Sequence, residues 1–388
     1  MLMETKQSST VIHLYNQEQK LTVLKKNFID FLNEDQYYNA LSIIMDDNER
    51  NEHIPYTNFT DEMMIYTFIH KPSHLHVEYD KKENTKKEYI RDLYQFYTHL
   101  HKESSFIKQD VQHYNDASLL KSIQPRHMKR YQQWLKNEVP LRNGKVGYGR
   151  ATLARKVVVL KSFFKWLYEV DYIERKLHTA FLSSEVHKED RPDRYLSYEE
   201  VKQLIDYYAY HPLHHALLTL LATTGLRIQE VATAAWRDIY YDSRQGAFYL
   251  KVKGKRNEVR HALIKQIVMD RLQTLRQRKG LSPLLDPSDD TPLFTTNRGN
   301  SYHFSDLSKY VTKIIKQTQF PFLQYKQGNV TPHWFRHYFA QEAHKQGAPL
   351  LFIQQTLAHK KVETTEIYLK EMMKKENDAA QYLRDDQY

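Results

Sequence analysis

The sequence predicts a mainly α-helical protein with a small antiparallel β-sheet, divided into more than one domain. Three observations predict it. Apolar residues recur at three- and four-residue steps along most of the chain. Residues 248–264 instead read as two strands joined by a turn. Formal charge comes in blocks, −7 over residues 1–80, +11 over 81–180 and +6 over 181–388, which argues against one uniform function along the chain.

At 388 residues the chain is long enough for two or three domains, each with its own core. No apolar run approaches the roughly 18–20 residues a membrane span needs, and the first residues lack the apolar core of a signal peptide. Cysteine is absent, which removes disulfides, thiol nucleophiles and cysteine-bound zinc. The histidines are scattered, with no pair at a convincing metal-ligand spacing. A cytoplasmic protein with no membrane contact, no metal and no cofactor is therefore expected.

Residues 18–46 carry a helical rhythm in Leu21, Leu24, Phe28, Phe31, Leu32, Tyr38, Leu41 and Ile44. A polar loop follows at 48–55, then an apolar patch from Met63 to Ile69. Residues 1–83 are thus expected to be an acidic helical module. It either docks on a protein partner or packs as an extension of the next domain.

From Asn84 the character changes. Tyr89, Leu93, Phe96, Tyr97 and Leu100 keep helical spacing among basic neighbours, and Pro125 suits the first turn of a helix running to about Leu135. Residues 141–149 hold three glycines and read as a loop. A further helix over 152–168 buries Leu153, Val157, Leu160, Phe164 and Leu167. Residues 84–183 form a helical domain whose basic face, drawn from Arg126, Lys129, Arg130, Arg155, Lys156, Lys161 and Lys165, suits phosphate backbones. A merely solvated lysine-rich surface is the alternative.

Residues 184–194 lack apolar periodicity and read as a linker, and 195–388 as a second domain. Ser197 and Glu200 make a capping box at its first helix. Leu213 to Thr224 reads as a buried helix that Gly225 ends. Arg227 then opens a helix, where backbone N–H groups favour an anion, and Glu230 one turn on can orient a guanidinium. Lys255 lies in the turn between strands 248–253 and 259–264. Ser305 to Lys316 is another amphipathic helix. His333 and Arg336, three apart, share a helical face. His359 follows, and Tyr368 comes nine residues later, the last two on separate short helices.

Taken in order, Arg227, Lys255, His333, Arg336, His359 and Tyr368 make the sequence resemble the tyrosine recombinase (integrase) family. That family carries arginine in a Gly-Leu-Arg-Ile-x-Glu context, a hairpin lysine, His-x-x-Arg, a Leu-Gly-His-type histidine, and tyrosine nine residues on. The resemblance covers residues 84–388 and leaves residues 1–80 unexplained. It departs at Ala358, where the family has glycine, and at Phe335, where it has leucine. The extra methyl at Ala358 narrows the approach of a DNA backbone while suiting a helix better than glycine.

The resemblance implies a helical core-binding domain followed by a mixed α/β catalytic domain, acting on double-stranded DNA with paired inverted half-sites as a homo-tetramer. It implies a Tyr368 nucleophile that forms a 3′-phosphotyrosine, with Lys255 protonating the leaving 5′ oxygen. Two arginines suit such chemistry because each offers a planar fork to the non-bridging phosphate oxygens. His333 would accept the tyrosine proton and His359 hydrogen-bond the phosphate, while Trp334 and His337 read as packing residues. The charged tail after Tyr368 would dock on a neighbouring protomer. Integration, excision, transposition and dimer resolution all remain open. So do a type IB topoisomerase-like relaxation of DNA and a sequence-specific DNA-binding protein that has lost its chemistry.

Overall fold

The computed structural model describes residues 10–15, 21–76, 80–141, 144–183, 194–254, 258–359 and 365–366. The chain divides into two compact units, residues 1–191 and 192–388. The linker expected at 184–194 lies outside the described residues except for its last position, as do Lys255, Tyr368 and the charged tail.

The first unit opens with β1 (Thr10–Tyr15) and β2 (Leu21–Lys26), an antiparallel pair with Thr10 opposite Lys26. Within the helical reading of residues 18–46, this corrects residues 21–26, while residues 28–33 and 38–46 are helical as expected. Leu21, Leu24 and Phe28 fall at helix-like spacing, but spacing over so short a run does not separate helix from strand, and Val11, Ile12 and Val23 are β-branched. Helices α1 (Phe28–Asn33), α2 (Tyr38–Arg50) and α3 (Asp61–His70) follow. Then come α4 (Glu83–Lys102), α5 (Ser104–Asp110), α6 (Leu119–Ser122), α7 (Pro125–Asn137) and α8 (Arg150–Glu169). Pro125 occupies the first turn of α7, where its missing N–H costs nothing.

One hydrophobic core runs through all of these helices. Phe31, Leu32, Met64, Tyr66 and Ile69 belong to the same buried cluster as Leu93, Phe96, Phe163, Phe164 and Leu167. Residues 28–70 therefore pack as an extension of the basic domain. A buried carboxylate reinforces the junction: Asp61 accepts from Ser118 Oγ at 2.5 Å, Leu120 N at 3.0 Å and Tyr172 OH at 2.8 Å. Burial outweighs those donors and pushes its pKa up to about 6.

The same core corrects one basic-face assignment. Lys156 is 3% exposed, with Nζ 2.7 Å from both Asp92 Oδ1 and Gln95 Oε1. The buried arc of α8 is wider than the five-residue stripe and takes in Lys156, Val159, Phe163 and Trp166 as well. Arg155 also turns to Asp92, at 2.7 Å. Of the other candidates, Arg126 pairs with Asp110 at 2.5 Å, Arg130 with Glu103 at 3.2 Å and Lys165 with Glu169 at 3.6 Å. Lys129 and Lys165 are exposed and Lys161 is partly so.

The second unit begins with α9 (Tyr198–Tyr207), whose Ser197–Glu200 capping box forms in both directions at 2.9 and 3.1 Å. Helix α10 (Pro212–Thr224) is its centre. Leu217, Leu218, Leu220 and Leu221 are fully buried, and α10 packs against α9, against helices at Gln266–Arg278 and Pro332–Lys345, and against the strand Val259–Ile264. Gly225 ends it in the left-handed region, φ +59°, where a Cβ would strike Phe339 and Leu357. Then come α11 (Ile228–Thr233), β3 (Ile239–Asp242), β4 (Ala247–Lys253) and β5 (Val259–Ile264) in one antiparallel sheet of order β3-β4-β5. Leu250, Val252, Ala262 and Ile264 form its inner face. The strand β3, only four residues long, escaped the sequence reading. Helices α12 (Gln266–Arg278), α13 (Phe304–Gln317), α14 (Pro332–Lys345) and α15 (Leu350–Leu357) complete the unit.

Asp92 is 1% exposed, so Asp92→Ala strands the Lys156 ammonium in the core. That change should cost the first unit about 3–5 kcal/mol, read from urea denaturation of the full chain, and adding Lys156→Met should recover most of it.

Candidate active site

The site is built around the C-terminal end of α15. Helix ends leave carbonyls without partners, and here two sets of donors satisfy them. Ala358 N–H donates to Gln355 O at 3.0 Å and His359 N–H to Gln354 O at 3.1 Å, the Schellman arrangement. The next three carbonyls, of Thr356, Leu357 and Ala358, each accept from a different arginine. Arg260 reaches Thr356, Arg336 reaches Leu357, and Arg227 reaches Ala358 at 3.3 Å. Three guanidiniums at the negative end of a helix dipole are electrostatically well placed.

Each arginine is aimed by a second contact. Arg336, on α14, is 3% exposed and donates to Gly225 O at 2.6 Å, so the glycine that stops α10 also anchors it. Arg227 precedes α11. Its backbone N–H donates to Glu230 Oε2 at 2.7 Å and its Nη1 to Oε1 at 3.1 Å, while its side chain stays 38% exposed. Arg260, on β5, donates to Glu230 Oε2 at 2.6 Å. Glu230 itself is 2% exposed. Burial would raise its carboxyl, but the hydrogen bond and charge of Arg260, with the Arg227 contacts, hold it below the ordinary range.

Three imidazoles complete the cluster. A guanidinium only donates, so His359 Nε2, 3.0 Å from Arg336 Nη2, accepts. Its ring proton then sits on Nδ1, facing Thr365 Oγ1 at 2.9 Å. His333 keeps an exposed edge on α14, and its Nε2 lies 3.3 Å from that of His337 one turn on. Desolvation and the charges of Arg194, Arg336 and Arg227 lower His333 to about 4. Desolvation, Arg336, Arg227, His333 and Arg260 lower His359 to about 4. His337 falls to about 2, by desolvation first and then by His333 and the arginines. All three are neutral at pH 7, and a neutral imidazole is what a proton acceptor has to be.

Four of the six sequence-predicted catalytic residues, Arg227, His333, Arg336 and His359, therefore meet around α15, with Glu230 beneath them. Lys255 and Tyr368 fall outside the described residues, although Gly254 N–H to Glu258 O at 2.8 Å closes the neck of the hairpin that carries Lys255. His337 touches His333, and Trp334 is buried in the core of the unit. One reading changes. Ala358 does not lie in helix: it takes φ +48°, ψ 52°, where glycine is unstrained and alanine is not. Arg260 was missed. Its signal was an arginine on the inward-facing register of a strand whose other inward positions are apolar.

Two measurements test this geometry. Unfolded imidazoles take up protons near pH 6.5, whereas His333, His359 and His214 hold off to about 4. Between those values the unfolded state binds more protons, so stability falls as pH drops from about 6.5 toward 4. The Tm of the second unit should track this, and His333→Asn with His337→Asn should flatten the slope. Separately, Ala358→Gly should raise stability by about 0.5–1 kcal/mol by relieving the left-handed alanine. A fall in Tm would mean that the position is not strained.

Residues 194–375 match the phage integrase family. Tyrosine recombinase XerC of Thermodesulfovibrio yellowstonii is 29% identical over 233 residues, 57% of this chain and 72% of that protein. XerC of Lacticaseibacillus casei is 26% identical over 301 residues, 76% of this chain and 90% of its own length. Among solved structures, a lambda integrase dimer bound to a COC′ core site is similar, with TM-score 0.55 and 15% identity, covering 91% of this chain and 89% of that one. The XerH site-specific recombinase bound to a palindromic difH substrate gives TM-score 0.54 at 15% identity, covering 94% and 99%. The fold and the sequence matches agree: residues 194–375 form a phage integrase domain, and the chain is similar to tyrosine recombinases.

Proposed function

We propose that this recombinase cuts and rejoins DNA through a covalent 3′-phosphotyrosine, with Tyr368 as the nucleophile. The observation that carries the reading is the meeting of Arg227, Arg336 and His359 at one helix end, beside a neutral His333. Such a cluster matches the needs of a phosphodiester, whose anionic oxygens repel an incoming nucleophile until cations neutralise them.

The Tyr368 oxygen attacks the scissile phosphorus and gives its proton to His333. The bond from phosphorus to the 5′ oxygen breaks, and Lys255 protonates the departing alkoxide. Arg227 and Arg336 take the non-bridging oxygens, and they offer what a lysine pair would not, two planar forks. As phosphate draws the Arg336 N–H away from His359, the neutral imidazole switches tautomer, Nδ1 accepting from the Thr365 hydroxyl and Nε2–H donating to a phosphate oxygen. The new phosphotyrosine keeps the energy of the ester, so a 5′ hydroxyl from either duplex can reverse the step without ATP. Exchange between two duplexes suits a homo-tetramer on paired inverted half-sites. Residues 1–83 are a candidate for partner contacts, and the exposed Lys129 and Lys165 with the partly exposed Lys161 for backbone contacts.

A nicked suicide substrate bearing the cognate site should trap a covalent adduct. Tyr368→Phe should abolish that adduct while binding persists, and Arg227→Ala or Arg336→Ala should lose cleavage far more than affinity. Adduct formation by the Phe variant would overturn the nucleophile assignment. Efficient relaxation of supercoiled DNA lacking the site would favour topoisomerase-like chemistry instead.

A further inference from the structure

Arg260 lies outside the six residues discussed above, yet it touches two of the elements that hold them. We propose that Arg260 is a positioning residue that ties the β4–β5 hairpin to the phosphate clamp, acting through Glu230 and through the end of α15. The inference rests on the recombinase reading and deepens it.

The geometry points to positioning rather than to DNA contact. Arg260 lies on β5 opposite Val252, and its side chain is 13% exposed. Nη2 is 2.6 Å from Glu230 Oε2, Nε is 3.4 Å from Oε1, and Nη1 donates to Thr356 O. All three nitrogens face protein groups, so this guanidinium presents no fork to a phosphate. What it holds is the carboxylate that holds Arg227. Glu230 takes the Arg227 backbone N–H on Oε2 and the Arg227 Nη1 on Oε1, and both oxygens are shared with Arg260.

Removing Arg260 changes the balance at three points. The buried Glu230 carboxylate keeps only Arg227 among these partners, which draws that guanidinium inward, away from Ala358 O and from any phosphate. Thr356 O loses its donor at the turn that sets His359. The strand that leads out of the Lys255 turn loses its tie to α11 and α15. Gly254 lies close to the same carboxylate, since a Cβ there would stand 3.8 Å from Glu230 Oε1.

The test is single-turnover cleavage of the nicked suicide substrate, with affinity for the same duplex measured in parallel on the full chain. Arg260→Ala should lower the cleavage rate by about 100-fold, the scale of an ångström-sized misplacement, with affinity unchanged. Glu230→Gln combined with Arg260→Ala should lose no more than Arg260→Ala alone, because both act on one link. Arg260→Lys keeps a charge in the cavity but not the two-pronged contact, so it tests the idea even where the alanine variant folds poorly. It should bind normally and cleave well below the unaltered protein. Wild-type cleavage by Arg260→Lys overturns the inference. So does an equal loss of rate and affinity, or additive losses in the double variant. If the unaltered protein itself forms no adduct, the recombinase chemistry proposed above fails, and the two failures are thereby distinct.

Discussion

Three arginines donating to three consecutive carbonyls at the end of one short helix are the constraint on which the second unit's site depends. Helix α15 has eight residues, and by itself it is too short to hold its last turn. Its final carbonyls are fixed from outside by α14, by the residue before α11 and by β5. Each donor side chain is thereby fixed in return. The helix end works as a jig: it spaces the guanidiniums, and the histidine that follows emerges at a set angle beside them. The arrangement also explains why Gly225 matters, since its carbonyl holds Arg336 and its missing side chain leaves room for Phe339 and Leu357.

Much of this site was legible in the sequence because its chemistry demands particular residue types in a particular order. Arg227, His333, Arg336 and His359 could be picked out before any coordinates, and Glu230 followed from its spacing to Arg227. What could not be read was the second contact of each group. Arg260 and His337 sit in strand and helix patterns with ordinary surface explanations, and only three-dimensional neighbours show what they touch. Ala358 shows a different limit. Read as one more helical residue, it was expected to be favourable; in the fold it occupies a left-handed backbone position where a side chain is strained. Sequence spacing locates a residue on an element, but the last residue of an element obeys different rules from the rest.

The fold was legible where periods were long. Helices α4, α7, α8, α10 and α13 each carry enough turns for the apolar spacing to be unambiguous, and caps at Ser197, Pro125 and Gly225 marked boundaries. Short elements were lost or misread, β1 to β3 among them, because a few residues satisfy either period. Lys156 was misplaced for a related reason. A charged residue beside an apolar stripe was read as facing outward, but Asp92 on the facing helix supplies a buried partner that no local pattern announces.

The buried Asp61 sets an order of events in the making of the protein. Its partners lie 57, 59 and 111 residues further along, at Ser118, Leu120 and Tyr172. Helix α3 is synthesised early, yet its carboxylate cannot be fully satisfied until the residues just past α8 have left the ribosome. The first unit therefore closes late, with its earliest helices waiting for its last, and such long loops are slow to close. A chain stopped before Tyr172 would hold the acidic segment and most of the basic helices without the bond that seals them into one core.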